Sequence, residues 1–193
     1  MSVKGDAAKS RILSSARVLF AAKGFSKVTM KDICESVGMS RGGVYRYYPS
    51  TEAIFAALIE AEQENALCAL RVAERNGVSP ASILFTYIKN RIGLYLDKQG
   101  NIENAITEYA ANSEEGKRIL VDRAKLCIRI ITEQIDRGCA MGAFSCRDSQ
   151  TAAKHIVWLL EGMAKHNAII PVNSEDISLL LEKTAEIIGY DKK

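Results

Sequence analysis

Between residues 40 and 51 the chain reads Ser-Arg-Gly-Gly-Val-Tyr-Arg-Tyr-Tyr-Pro-Ser-Thr, and this stretch gathers the side chains with most to offer chemically. An arginine can donate two hydrogen bonds at once to O6 and N7 of a guanine, worth about 1–3 kcal/mol of discrimination. Tyrosine hydroxyls and lysine ammoniums can hold phosphates, which set register without reading sequence. On a helical wheel Val44 and Tyr48 share one face, which suits packing. Arg41, Gly42, Tyr45 and Arg46 lie round the other side. Gly42 and Gly43 each cost about 1 kcal/mol in a helix relative to Ala. Close approach of the backbone to a groove wall or a phosphate would explain them.

Charge points the same way. The net charge of the 193 residues is +3, but residues 1–50 hold nine Lys or Arg against three Asp or Glu, and residues 51–193 hold 17 against 20. A basic first quarter on an otherwise acidic chain suits an anionic partner for that quarter.

The elements that must position these side chains are helices. Ile12, Leu13, Ala16, Leu19 and Phe20 recur at three- and four-residue steps over about residues 6–23, and Gly24 ends that pattern. A second, short helix begins at Thr29, where Asp32 completes a capping box and Val28 and Ile33 have staple spacing. Gly38 stops it. A third begins at Ser40, with Met39 and Val44 repeating the staple, and Pro49 prevents it from running far past Tyr48. The pair of short helices about the turn Val37-Gly38-Met39-Ser40 has helix-turn-helix spacing, in which the second helix enters the major groove N-terminal end first.

Ser50 then caps a long helix to about Arg75, and Ser79-Pro80 opens another to about Asp97. Further helices read as 102–111, 114–137, 149–168 and 174–188, with Gly138 to Ser145 as a loop of small residues. The expected class is all-α, about nine helices and no sheet. With 48% hydrophobic and 25% charged residues, the composition is that of a soluble globular protein.

The run from Thr29 to Phe55 resembles the DNA-binding segment of TetR-family transcriptional regulators, and Ile12-Leu13, Ala16, Leu19-Phe20 and Gly24-Phe25 match that family's first helix. The resemblance covers about residues 8–58. It implies a three-helix DNA-binding domain at 1–50 and a larger helical ligand-binding and dimerisation domain at 51–193. It also implies a homodimer that represses from a near-palindromic operator on double-stranded DNA until a small-molecule effector releases it. By position, Arg41, Gly42, Gly43 and Arg46 would face base edges. Tyr45 and Tyr47 would hold phosphates, Lys31 would reach a base or phosphate, and Ser40 and Thr51 would complete the contact surface. Two departures matter. Thr51 stands where the family often has Lys, and Gly43 where it often has Thr, Ser or Ala. Base readout would then rest heavily on Arg41 and Arg46.

In the second part, Ile156, Leu160 and Met163 of one helix and Leu180 and Ile188 of the last form apolar faces that suit a dimer interface. Phe85, Tyr87, Tyr95, Tyr109 and Trp158 are candidates to line an effector pocket, which would favour a lipophilic or aromatic molecule. Glu103 and Glu108 would instead meet a cation. No cofactor is expected.

Catalysis has little support. The chain has no Gly-x-Ser-x-Gly elbow, P-loop or dinucleotide fingerprint. His155 and His166 are eleven residues apart, about 16 Å along a helix, too far to share a metal ion. The five Cys show no metal-ligand spacing, and their odd number and scatter fit reduced thiols in a cytoplasm. Cys139 and Cys146 flank a loop, and inert small hydrophobes are the favoured reading of both. No run of 18 apolar residues exists, and the first residues lack a secretory signal's apolar core. The competing class is a helical ligand-binding protein or enzyme, which would bind all DNA sequences equally weakly.

Overall fold

The computed structural model describes residues 3–97 and 100–191, and these form nine α-helices and no strand. In chain order they are α1 (Val3–Lys23), α2 (Met30–Val37), α3 (Arg41–Tyr45), α4 (Thr51–Arg75), α5 (Pro80–Leu96), α6 (Glu103–Asn112), α7 (Glu114–Ala140), α8 (Ser149–Asn167) and α9 (Ser174–Ile188).

The starts are set by local chemistry. Thr29 Oγ1 accepts from the Asp32 N–H at 3.2 Å, and the Asp32 carboxylate accepts from the Thr29 N–H at 2.8 Å. Ser40, Ser50 and Ser79 each accept from the backbone N–H three residues on, at 3.2 Å. Each such cap is worth about 1 kcal/mol. Gly38, with φ +66°, closes α2 in the left-handed region that other residues avoid, and its N–H returns to the Cys34 and Glu35 carbonyls.

Asp32 also accepts from the Lys23 ammonium at 2.7 Å. That ammonium, with the Thr29 hydroxyl and N–H, holds the carboxyl well below its ordinary 3.8. A folded-state pKa depressed in this way adds stability above the unfolded value, and the contribution is lost as pH falls through the folded one. Asp32→Asn is therefore expected to lower the melting temperature at pH 7. The gap from the parent should narrow as the pH drops below about 3.8, as measured by thermal unfolding across a pH series.

The helices divide into two compact units. One comprises Met1–Leu67 and Lys98–Leu120, the other Cys68–Asp97 and Val121–Lys193. Packing thus places the first turns of α4, and α6, with residues 1–50.

In the first unit Ile12, Ala16 and Phe20 of α1, Ile33 and Val37 of α2, and Val44 of α3 share a core with Ile54, Phe55 and Ile59 of α4 and Ile106 and Tyr109 of α6. Phe20, Phe25, Phe55 and Tyr109 meet ring to ring at 4.4–5.9 Å. Tyr109, a candidate for the effector pocket, is thus packed into this core. Glu108 is likewise engaged, accepting from the Phe25 N–H at 2.6 Å, so it serves the α1–α2 turn and not a cation. Gly116 stands at the start of α7 because a Cβ there would meet the Tyr109 carbonyl.

In the second unit Leu84, Ile88 and Ile92 of α5, Ile131 and Ile135 of α7, Ala153, Ile156 and Leu160 of α8, and Leu180, Thr184 and Ile188 of α9 are buried, and α8 packs on both α5 and α9. This corrects the expected dimer face. Ile156, Leu160, Leu180 and Ile188 are buried within one copy and offer a second copy nothing, and Met163 is half-buried. The outward apolar residues of the same helices are Trp158, Leu159 and Leu179, at 60%, 41% and 53% exposure. Trp158, a candidate for the effector pocket, therefore lies on the surface. Of the remaining pocket candidates, Tyr87 and Tyr95 are buried between helices, and Phe85 borders an open groove of about 580 Å³ with Leu181 and Tyr190.

Two boundaries differ from the sequence reading. The α7 helix continues through Gly138, Cys139 and Ala140 and turns only at Gly142, whose φ is +69°. Gly138 is needed inside the helix because the Phe144 ring folds back over it and leaves no room for a Cβ. The α3 helix ends earlier, at Tyr45, because the Tyr47 N–H reaches the Val44 carbonyl in a tightened last turn. Cys139 Sγ approaches the Cys146 carbonyl at 3.6 Å, and burial pushes the Cys146 thiol up, which disfavours a reactive thiolate.

Candidate nucleic-acid interface

The α3 helix is held from below and free above. Val44 is fully buried and Tyr48 nearly so, and burial pushes the Tyr48 phenol up. These two anchor the helix on α1 and α2, where Arg11 also donates to the Val37 carbonyl at 3.0 Å. Ser40, Arg41, Gly42, Tyr45 and Arg46 are exposed, and Gly43 is half-buried. The expected side chains thus emerge together from one surface.

The two arginines are not loose. The Arg41 guanidinium lies 5.2 Å from the Tyr45 ring centroid and donates to its hydroxyl at 3.3 Å. Arg46 lies 4.9 Å from the Tyr47 ring centroid and donates to that hydroxyl at 2.6 Å. Stacking on a tyrosine restricts the rotamers of a long side chain, so less freedom remains to be lost when a guanidinium meets a base.

The glycines divide. A Cβ on Gly43 would come within 3.2 Å of the Ser40 hydroxyl that caps the helix, so this position is short of space inside the chain itself. A Cβ on Gly42 would meet nothing within 4 Å. The packing of the chain itself gives no reason for Gly42.

Beside α3 lies a groove of about 680 Å³, bordered by Lys31 and Cys34 of α2, Arg41 and Tyr45 of α3, and Ser50 and Thr51 at the start of α4. Lys31 is 84% exposed and only loosely paired, 3.8 Å from Glu35. Thr51 is half-buried, and its hydroxyl donates to Glu52 at 3.3 Å. Tyr47 is half-buried against the core. Cys34 was not singled out by sequence reasoning, since a small apolar residue at a core period carries no sign of facing a groove. Lys23 is bound to Asp32, so fewer cations are free here than the charge count suggests.

Among the described residues no group of three His, Cys, Asp or Glu side chains converges as metal ligands would, and no helix is long and apolar enough to cross a membrane.

The bacterial regulatory proteins of the tetR family match residues 12–58, which contain α2, α3 and the surface just described. An uncharacterized HTH-type transcriptional regulator, YfiR of Bacillus subtilis, is 29% identical over 181 residues, covering 92% of this chain and 88% of YfiR. The transcriptional regulator UidR of Escherichia coli is 38% identical over 71 residues, 37% of this chain and 36% of UidR. Reduced NemR of E. coli shares the fold, with a TM-score of 0.80 at 15% identity over 96% of this chain and all of NemR. These relatives are regulators of transcription and not enzymes. With α2 and α3 built as the family builds them and the whole length following the same helical plan, residues 12–58 form a tetR-family DNA-binding segment in a chain similar over most of its length to an HTH-type transcriptional regulator.

Proposed function

We propose that this regulator is a cytoplasmic repressor that binds a two-fold operator as a homodimer and is released by a small-molecule effector. The observation that carries the DNA-binding side is the exposed face of α3, where Arg41, Tyr45 and Arg46 surround a glycine with open space above it. In this reading Arg41 and Arg46 meet base edges, with Ser40, Gly42 and Gly43 at the groove floor. Tyr45, Tyr47, Lys31 and Thr51 hold the flanking phosphates. Residues 1–50 make the contacts, and 51–193 regulate and dimerise. A selection from random double-stranded DNA is the decisive experiment. It should enrich one sequence with two-fold symmetry and half-sites about 34–36 Å apart or slightly more, and recovery of unrelated sequences only would defeat the reading.

Two substitutions test the surface. Gly42→Leu adds a good helix former where the free chain has room, so thermal stability should hold or rise by up to about 1 kcal/mol. Operator affinity should fall roughly tenfold or more, the equivalent of about 1.4 kcal/mol, because the side chain stands where the groove must approach. Unchanged affinity in a titration would remove Gly42 from the interface. Lys31→Ala should lower the salt slope of operator binding by about 0.9 per protomer if Lys31 neutralises one phosphate. An unaltered slope would assign Lys31 to solvent.

Dimerisation is supported by the outward faces of α8 and α9. Trp158, Leu159 and Leu179 are large apolar residues standing in solvent, and Gly162, one turn beyond Trp158, leaves space for a close approach. One short recognition helix offers few base contacts, and a two-fold pair doubles them. Relief by the effector is a population shift. It operates only if the ligand binds the DNA-incompetent dimer more tightly than the competent one.

A further inference from the structure

Arg46 and Tyr47 are neighbours in sequence, and neighbouring side chains on an α-helix point roughly 100° apart and do not face each other. Here they meet. The α3 helix has ended at Tyr45, and the Tyr47 N–H turns back to the Val44 carbonyl at 2.9 Å. The Arg46 guanidinium lies 4.9 Å from the Tyr47 ring centroid and donates to its hydroxyl at 2.6 Å. Arg41 and Tyr45, by contrast, are the ordinary helical pair one turn apart, at 5.2 Å and 3.3 Å.

The two tyrosines are held differently. Tyr45 is 37% exposed. Tyr47 is half-buried and packs against the core of the first unit, and the next residue, Tyr48, is buried in it. A side chain seated in a close-packed core keeps its rotamer. Arg46 therefore rests on a fixed platform, and Arg41 on one that stands in solvent. A phenol hydroxyl accepts hydrogen bonds and has one proton to donate. Once it has accepted from Arg46, its own proton is still free for a phosphate oxygen. The guanidinium uses one of its five N–H groups on Tyr47, and the other four suffice for the paired bonds to a guanine edge.

We propose that Tyr47 is a positioning residue for base recognition, which seats Arg46 on its ring and hydroxyl and so sets how strictly Arg46 discriminates between base pairs. This rests on the DNA contacts proposed above and gives Tyr47 a part in specificity that a phosphate contact alone lacks. Holding a long side chain in place beforehand removes an ordering cost otherwise met on binding, worth about three- to tenfold in affinity for the correct base pair.

The test uses the full-length protein, the operator recovered by selection, and a set of operators in which each base pair of one half-site is replaced in turn. Arg46→Ala should flatten the preference at one base pair of that half-site. Tyr47→Phe should lower the preference at that same base pair about three- to tenfold and leave the preferences elsewhere intact. The free variant should melt within about 2 °C of the parent, since the ring stays in place. In the Arg46→Ala background Tyr47→Phe should change no preference further. Tyr45→Phe should disturb the base pair read by Arg41 less, its ring being exposed and its hydrogen bond longer. A uniform loss in Tyr47→Phe with every preference intact would overturn the proposal and leave Tyr47 as a phosphate contact only. Equal effects of Tyr47→Phe with and without Arg46 would overturn it as well. If Arg46→Ala flattens no preference, base reading by Arg46 itself fails and the role of Tyr47 falls with it. A flattened preference in Arg46→Ala beside an unaltered one in Tyr47→Phe would refute Tyr47 alone.

Discussion

Arg41→Ala is expected to weaken binding to the selected operator by about 1–3 kcal/mol per half-site, and so by about 2–6 kcal/mol for a dimer that engages both. Binding to random DNA should fall much less, because there the substitution removes only one of several positive charges from each protomer. The contrast is the informative quantity. A guanidinium that reads guanine loses specificity when removed, whereas one that sits on a phosphate loses affinity for every sequence alike. Competitive titration of the operator against scrambled DNA separates the two, and equal losses would strip Arg41 of its base-reading role. Tyr45 sharpens the experiment. It carries the Arg41 guanidinium in the free protein, so Tyr45→Phe, which keeps the ring and deletes the hydroxyl, should have the smaller effect.

Leu159→Glu is expected to convert the proposed dimer to a monomer at micromolar concentration and to cost operator affinity at least as much as Arg41→Ala does. Leu159 is 41% exposed in a single copy, so a glutamate there is tolerated by the monomer's own fold. At a two-fold interface it would bury an uncompensated charge, and two such charges would approach each other across the axis. Sedimentation reads the outcome, and a persistent dimer would move the interface elsewhere. Leu160→Glu is the informative contrast. Leu160 is 3% exposed within one copy, so that change should unfold the second unit rather than separate two intact subunits.

The pair Leu159 and Leu160 shows where sequence reasoning reached its limit. The α8 helix carries apolar residues on two sides, and its periodicity does not say which side faces the interior. The sequence reading placed Ile156 and Leu160 outward and Trp158 inward, and the structure reverses both. Chemistry confined to a few consecutive residues was readable. The caps at Thr29, Ser40 and Ser50 were expected and are present, as is the split of α3 and its flank into the buried Val44 and Tyr48 and the exposed Arg41, Tyr45 and Arg46. Features that depend on distant partners were not readable. Gly138 looked like a loop residue because the ring that covers it, Phe144, lies beyond the turn. Glu108 looked like a possible ligand because its partner, the N–H of Phe25, is 83 residues away.

The Phe20–Phe25–Phe55–Tyr109 cluster and the Glu108 tether have a practical consequence for transplantation. A fragment cut after residue 50 would carry Phe20 and Phe25 without Phe55 or Tyr109, and its first interhelical corner would lack the carboxylate that fastens it. A chimera that exchanges only this front piece between two regulators would inherit mismatched halves of one aromatic joint. A graft that carries α6 along with the recognition helices would keep the joint whole.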